Sequence, residues 1–245
     1  MLYNGKSLFL KNLVHLTEII EGIHRVNDKA SVSLDYPNVY LLINGKELTV
    51  IDTGWPGNAA KTVEYIQKIG HQPTDVKTII LTHFHMDHRG SAKELKDLTK
   101  AKVAVHAEDA DYVSGIKPIS KPQNILLPDP SFFDKLEPVQ VDVILREGDK
   151  ISGLTVIHMP GHTSGSIMLL EEKRKILFTG DILLYDGKKV SSAPLSFNSD
   201  SNKVREAIAK AATLNFDVML PGHGVPLKLK ASEEIKKFSE SLRQK

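Results

Sequence analysis

The sequence predicts an α/β fold, and three observations carry that expectation. Short runs of branched apolar residues alternate with stretches of helical spacing, the pattern of strands covered by helices. Several of those runs stop at a loop that presents histidine or aspartate, often directly behind a glycine. The chain is 245 residues long, 41% hydrophobic and 25% charged, which suffices for a large buried core. No linker-like stretch divides it, so one domain over residues 1–245 is expected.

Taken in order, Val39-Tyr40-Leu41-Leu42-Ile43 and Leu48-Thr49-Val50-Ile51 read as two strands joined at Asn44-Gly45, a strong hairpin signal. Asp52-Thr53-Gly54 breaks the second strand. A helix follows, with Val63, Ile66 and Ile69 on one face and Gly70 placed to stop it. The unit then repeats. Thr78-Ile79-Ile80-Leu81 is a continuous apolar strand, a histidine-rich loop follows, and Ser91 with Glu94 matches the capping box of a helix carrying Leu95 and Leu98. Val103-Ala104-Val105 is a short strand. Between 116 and 138 the pattern disappears, and Pro118, Pro122, Pro128, Pro130 and Pro138 fall there. A loop of that length in a compact domain is usually functional. Its adjacent aromatics, Phe132 and Phe133, are expected either to wall a substrate pocket or to pin the loop to the core. Strands resume at 141–145, 154–158, 167–171 and 176–179. A helix with Val204, Ala207, Ile208 and Ala211 on one face leads to a strand at 217–220, and a last helix carries Ile235, Phe238 and Leu242.

Charge and composition exclude some partners. The net charge is +2, from 32 basic and 30 acidic residues without a concentrated basic run, so neither nucleic acid nor an anionic membrane is expected to bind. There is no cysteine, so any metal would be held by nitrogen and oxygen. The apolar run Leu8-Phe9-Leu10 is shorter than a signal-peptide core, and no stretch approaches the ~20 apolar residues of a membrane span. A cytoplasmic location is the resulting expectation.

Five of the ten histidines demand explanation. His83, His85, Asp87 and His88 form His-x-His-x-Asp-His directly after an apolar strand. In extended backbone, side chains two apart point the same way, so His83 and His85 can hold one metal together. A turn into the helix near Gly90 would re-aim Asp87 and His88 toward a second position. Three further candidates follow strands, each directly behind a glycine: His162 in Pro160-Gly161-His162, Asp181 in Thr179-Gly180-Asp181, and His223 in Pro221-Gly222-His223. His15, His24 and His71 sit in no motif and read as structural. His106 and His158, near strand ends, are open between supporting the site and packing.

With this motif, with His162, Asp181 and His223 behind it and Asp52-Thr53-Gly54 ahead of it, the chain resembles the metallo-β-lactamase superfamily over residues 36–226. The resemblance implies an αββα sandwich: two mixed β-sheets flanked by helices, with the metal site at the sheet edge. It implies two divalent metal ions, zinc first, with Mn2+, Fe2+ or Co2+ also admitted by nitrogen and oxygen donors. His83, His85 and His162 would hold one ion, Asp87, His88 and His223 the other, and Asp181 would bridge them. Two such ions ~3.5–4 Å apart lower the pKa of a shared water to about 7 and supply hydroxide for attack on a carbonyl or phosphorus. Asp87 would orient the nucleophile and take its proton. For Asp52 two roles stay open: accepting an N–H from a ligand histidine, or stabilising its own turn.

Among members of that family the pattern is similar to glyoxalase II-like thioesterases, acyl-homoserine-lactone lactonases and ribonuclease Z. Ribonuclease Z fits less well, for want of a basic segment. Glyoxalase II usually has an acidic residue where Gly224 stands. Lactonases place a tyrosine three residues after the bridging aspartate, and Tyr185 stands four after Asp181. Tyr185 is therefore open between contacting the substrate carbonyl and packing at the sheet edge. The expected activity is hydrolysis of a small-molecule acyl substrate, a lactone or a thioester. The alternatives are a mononuclear iron persulfide dioxygenase-like oxidoreductase, or phosphodiesterase or β-lactamase activity. The oligomeric state, a homodimer included, stays open.

Overall fold

The computed structural model describes residues 18–26, 34, 36–119 and 136–243. The expectations for Phe132, Phe133 and His15, and for most of the proline-rich loop, lie outside the described residues.

Seven strands lie side by side in sequence order: β1 (Glu18–Ile20), β2 (Ile23–Arg25), β3 (Tyr40–Asn44), β4 (Glu47–Ile51), β5 (Val76–Ile80), β6 (Lys102–His106) and β7 (Val143–Leu145). Neighbours are antiparallel up to β4 and parallel from β4 to β7. Parallel neighbours need crossovers. α1 (Ala59–Lys68) links β4 to β5, α2 (Met86–Arg89) and α3 (Ala92–Thr99) lie between β5 and β6, and α4 (Ala110–Val113) follows β6. In the second sheet β8 (Lys150–Ile151), β9 (Leu154–His158), β10 (Ile167–Glu171) and β11 (Ile176–Gly180) form an antiparallel meander. β12 (Leu184–Tyr185) and β13 (Val190–Ser191) pair with each other. After α5 (Ser201–Ala211), β14 (Val218–Pro221) lies parallel to β11, and α6 (Ala231–Arg243) ends the described chain.

Side chains alternate across each strand, and both faces are apolar. Tyr40, Leu42, Ile51, Ile80 and Ala104 of the first sheet meet Val156, Leu169, Phe178 and Leu220 of the second in a central core. The intervening Leu41, Val50, Ile79 and Val103 face outward against Ile66 of α1 and Leu95 of α3. Ile157, Met168, Leu177 and Met219 face the other way, against Val204 and Ile208 of α5 and Ile235 of α6. Helices, sheet, sheet and helices therefore stack in the expected αββα order. None of the described helices is long and apolar enough to cross a membrane.

Two local expectations are corrected. Asn44 pairs with Glu47 inside the ladder, so the hairpin turn is Gly45-Lys46, with the positive φ of +65° at Gly45. The capping box at Ser91 does not form. The Ser91 hydroxyl donates to Trp55 O at 2.7 Å and accepts from Asn58 N at 2.7 Å, tying the β4–α1 loop to the start of α3 instead of capping it.

Candidate metal centre

The strand ends bring the histidine motif against Asp52. Asp52 follows β4 with φ +58°, a left-handed conformation that aspartate tolerates better than most residues. Its carboxylate accepts from Thr82 N, Thr82 Oγ1 and His88 Nδ1, each at 2.8 Å. Of the two roles open to Asp52, the histidine contact is thus made. A carboxylate only accepts, so His88 carries its proton on Nδ1 and turns the Nε2 lone pair away from Asp52. The single proton of the Thr82 hydroxyl goes to Asp52, so that oxygen accepts from His83 Nδ1 at 3.0 Å. His83 Nε2 is left with a lone pair, buried and without a hydrogen-bond partner. His162 is oriented likewise, donating from Nδ1 to Asn198 Oδ1 at 2.9 Å.

The backbone then sorts the donors into two groups. His85 is still extended, at φ −61° and ψ 150°, and the next residues turn into α2. His83 and His85 therefore converge with His162, while Asp87 and His88 converge with Asp181 and His223. Within each group the donor atoms lie within 4.8 Å of one another. His85 Nδ1 is 2.9 Å from His162 Nε2 in the first. In the second, His223 Nε2 is 3.1 Å from both His88 Nε2 and Asp87 Oδ2. Asp181 reaches into both: Oδ1 is 3.3 Å from His88 Nε2, and Oδ2 is 3.5 Å from His162 Nε2 and from His223 Nε2. Gly222 permits this approach, since a Cβ there would stand 2.3 Å from Asp181 Oδ1.

The two groups differ electrically. Burial, reinforced by neighbouring histidines, holds His83 well below its ordinary value and brings His85 down to about 3, and burial lowers His162 too. In the second group burial acts the same way but loses. Asp181, Asp87 and Asp52 raise His88 well above its ordinary value, and Asp181 and Asp87 raise His223. Against burial, His88 and His223 bring Asp87 down to about 2, and His223 and His88 hold Asp181 well below its ordinary value.

These donors fit divalent cations. His83 Nε2 and Asp181 Oδ1 are buried without hydrogen-bond partners, a state that costs about 1–3 kcal/mol per group unless something else satisfies it. A cation among imidazole nitrogens and carboxylate oxygens does so, and such donor sets suit first-row divalent ions.

The family model described as the metallo-beta-lactamase superfamily matches residues 32–223. The chain belongs to this superfamily. Among its relatives, the Homo sapiens acyl-coenzyme A thioesterase MBLAC2 is 30% identical over 226 residues, covering 83% of this chain and 78% of that protein. The Haemophilus influenzae hydroxyacylglutathione hydrolase GloC is 29% identical over 183 residues, covering 73% and 81%. A solved metallo-beta-lactamase family protein from Thermus thermophilus superimposes with a TM-score of 0.71 at 22% identity, over 92% of this chain and 81% of that one, a likeness of fold.

All seven ligand-type residues expected of a metallo-beta-lactamase chain meet in this centre. Tyr185 lies beside the His223 loop, bridged to Gly224. Its backbone carbonyl accepts from Val225 N at 2.9 Å, and its half-buried side chain packs against the apolar core on the helix-covered face of the second sheet. His106 and His158 stack on each other at 3.9 Å, and His24 is buried against Tyr65, with 2.9 Å from Nδ1 to the hydroxyl. Four supporting residues had no motif to mark them: Thr82, Asn198, Asp109 and Asn38. Asn38 Nδ2 donates to Pro221 O at 2.9 Å and Gly224 O at 3.1 Å, holding the loop of His223 from both sides. Thr82 had a signal in its place beside His83. Asn198 had none, lying 36 residues from His162.

Proposed function

We propose that this metallo-beta-lactamase superfamily protein is a binuclear metal-dependent hydrolase of thioesters. His83, His85 and His162 would hold one ion, Asp87, His88 and His223 the other, with Asp181 shared and zinc the first candidate. The observation that carries this reading is the reach of Asp181 into both donor groups. Divalent cations held by these residues would supply Lewis acidity, lowering the pKa of water toward neutrality and offsetting the negative charge that develops on an attacked acyl group. The chain's residues do the rest. Asp181, within reach of donors on both sides, would offset positive charge held by either group. Asp52 and Thr82 hold His88 and His83 with the correct nitrogen forward. Asp87, at the more open side of the second group, receives the proton of the attacking water. The C–O bond forms, the C–S bond then breaks, and the proton held on Asp87 passes to the departing sulfur, giving a thiol and a carboxylic acid that ionises to the carboxylate.

Thioesters are favoured over lactones by the relatives. One is named as an acyl-coenzyme A thioesterase and another as a hydrolase of hydroxyacylglutathione, itself a thioester. An apolar acyl group would find a ledge at Leu195 and Phe197. Both are exposed in the segment that ends at Asn198, the partner of His162.

The test is to strip metal with a chelator, restore it, and assay acyl-coenzyme A, acylglutathione, acyl-homoserine lactone, a phosphodiester and a β-lactam in parallel. Thioester turnover should vanish without metal and return with about two equivalents per chain. Turnover of lactone or phosphodiester about tenfold above thioester would overturn the substrate reading. One tightly held iron with oxygen consumption would overturn the hydrolase reading.

A further inference from the structure

Asp109 is fully buried and belongs to neither donor group. By position it precedes α4, where an aspartate ordinarily caps its own helix. It makes no such cap. Its carboxylate instead reaches two loops far away in the chain. Oδ2 accepts from Phe84 N at 3.0 Å and from Thr163 Oγ1 at 2.7 Å, and Oδ1 accepts from Gly165 N at 2.7 Å. Phe84 lies between His83 and His85, and Thr163 follows His162, so one carboxylate touches the neighbours of all three histidines of the first group. The Thr163 hydroxyl lies 2.8 Å from Ser166 Oγ, which also accepts from Thr163 N at 2.9 Å, so the second loop is braced from within. The Phe84 ring stacks on Tyr112 of α4 at 4.4 Å and 19°, a second tie between the same elements. Gly165 is required for the contact, because a Cβ there would stand 2.6 Å from the carboxylate.

We infer that Asp109 is a positioning residue that locks the His83–His85 loop to the His162 loop and thereby sets the metal affinity of the first donor group, leaving the second group untouched. The inference rests on the reading that these histidines hold a metal. The three histidines come from two loops and include no carboxylate, so their fit to a cation depends on how well those loops are held in register. Burial pushes the Asp109 carboxyl up to about 6 against its three donors, so the protein keeps a charge at neutral pH where it is costly to keep one. An asparagine has the same shape but must turn an NH2 toward one of the donors, breaking the clamp on at least one side.

The experiment separates the two groups. In a His88→Ala background the second group is disabled, and cobalt(II), followed by its visible absorption, titrates the first. In a His83→Ala background it titrates the second. Asp109→Asn should weaken cobalt binding about 10- to 100-fold in the first background and less than about threefold in the second. Thr163→Val, which removes one donor without altering the carboxylate, should act in the same direction more weakly, and Thr163→Ser should restore affinity. Equal loss in both backgrounds, or no loss in the first, would overturn the positioning role. Failure of the otherwise unaltered chain to bind cobalt at all would overturn the metal reading beneath it.

Discussion

The two donor groups share a cleft and Asp181, yet they are built on opposite principles. The first is three imidazoles that burial keeps neutral. The second adds Asp87 to Asp181, and its histidines are pulled toward protonation. A cation would be drawn into the second by charge. In the first it would meet lone pairs whose value depends on where the loops put them. The supports match: Asp52 fixes one histidine of the second group directly, while Asp109 fixes the loops of the first through their backbones. One centre thus combines an electrostatic site with a geometric one, and the carboxylate between them is where the two designs meet.

Asp181→Asn removes the group common to both and is expected to have the largest effect. We predict a fall in kcat of about 10²–10³-fold and loss of one metal equivalent by elemental analysis. Full activity with both metals kept would break the comparison at its shared member. Asp52→Asn should fall mainly on the second equivalent, weakening it about 10- to 100-fold in a chelator competition, and should weaken the first, which it reaches only through Thr82, by less. If the first equivalent weakened instead, the assignment of supports to groups would be reversed.

A pH test on metal-free protein probes the geometric site alone. Asp109 titrates at about 6 when folded, against an ordinary value of 3.8, so between those values the native state binds a proton that the unfolded chain has released. Its contribution is therefore favourable below that window and is lost as pH rises through it, by up to about 3 kcal/mol. From pH 4 to pH 6.5 the depressed histidines and acids of the centre raise the urea midpoint of both proteins, and the rise should be smaller for the parent protein than for Asp109→Asn. Equal changes would mean that the carboxyl is not held high by burial. The smallest effect is expected from Tyr185→Phe, with kcat/KM within about twofold, because the ring packs against the apolar core of the second sheet. A loss of about tenfold or more would place the hydroxyl on the substrate.

Much of this was legible beforehand, and for local reasons. The His-x-His-x-Asp-His run sits where a strand gives way to a helical turn, so the two periodicities divide its donors into two directions without help from the rest of the chain. The central strands were readable because each carries two apolar faces. The capping box failed for an equally physical reason. Ser91 matched a local pattern, but a backbone N–H and a carbonyl from another loop offered its hydroxyl buried partners.

The sequence by itself determined an α/β chain of strands and helices, the seven ligand-type residues and the split of the histidine run at the β5–α2 turn, because period and residue chemistry are properties of the chain in one dimension; the αββα layering followed from the family resemblance those residues carry. Tertiary structure alone decided which nitrogen each histidine presents, that Asn198 holds His162, that Asn38 holds the His223 loop, and that Asp109 clamps rather than caps. Each of those depends on contacts between residues far apart in the chain, 25 positions for Asp109 with Phe84 and 135 for His88 with His223. A side chain with several possible partners takes the one that burial leaves unsatisfied, and only the folded chain says which that is.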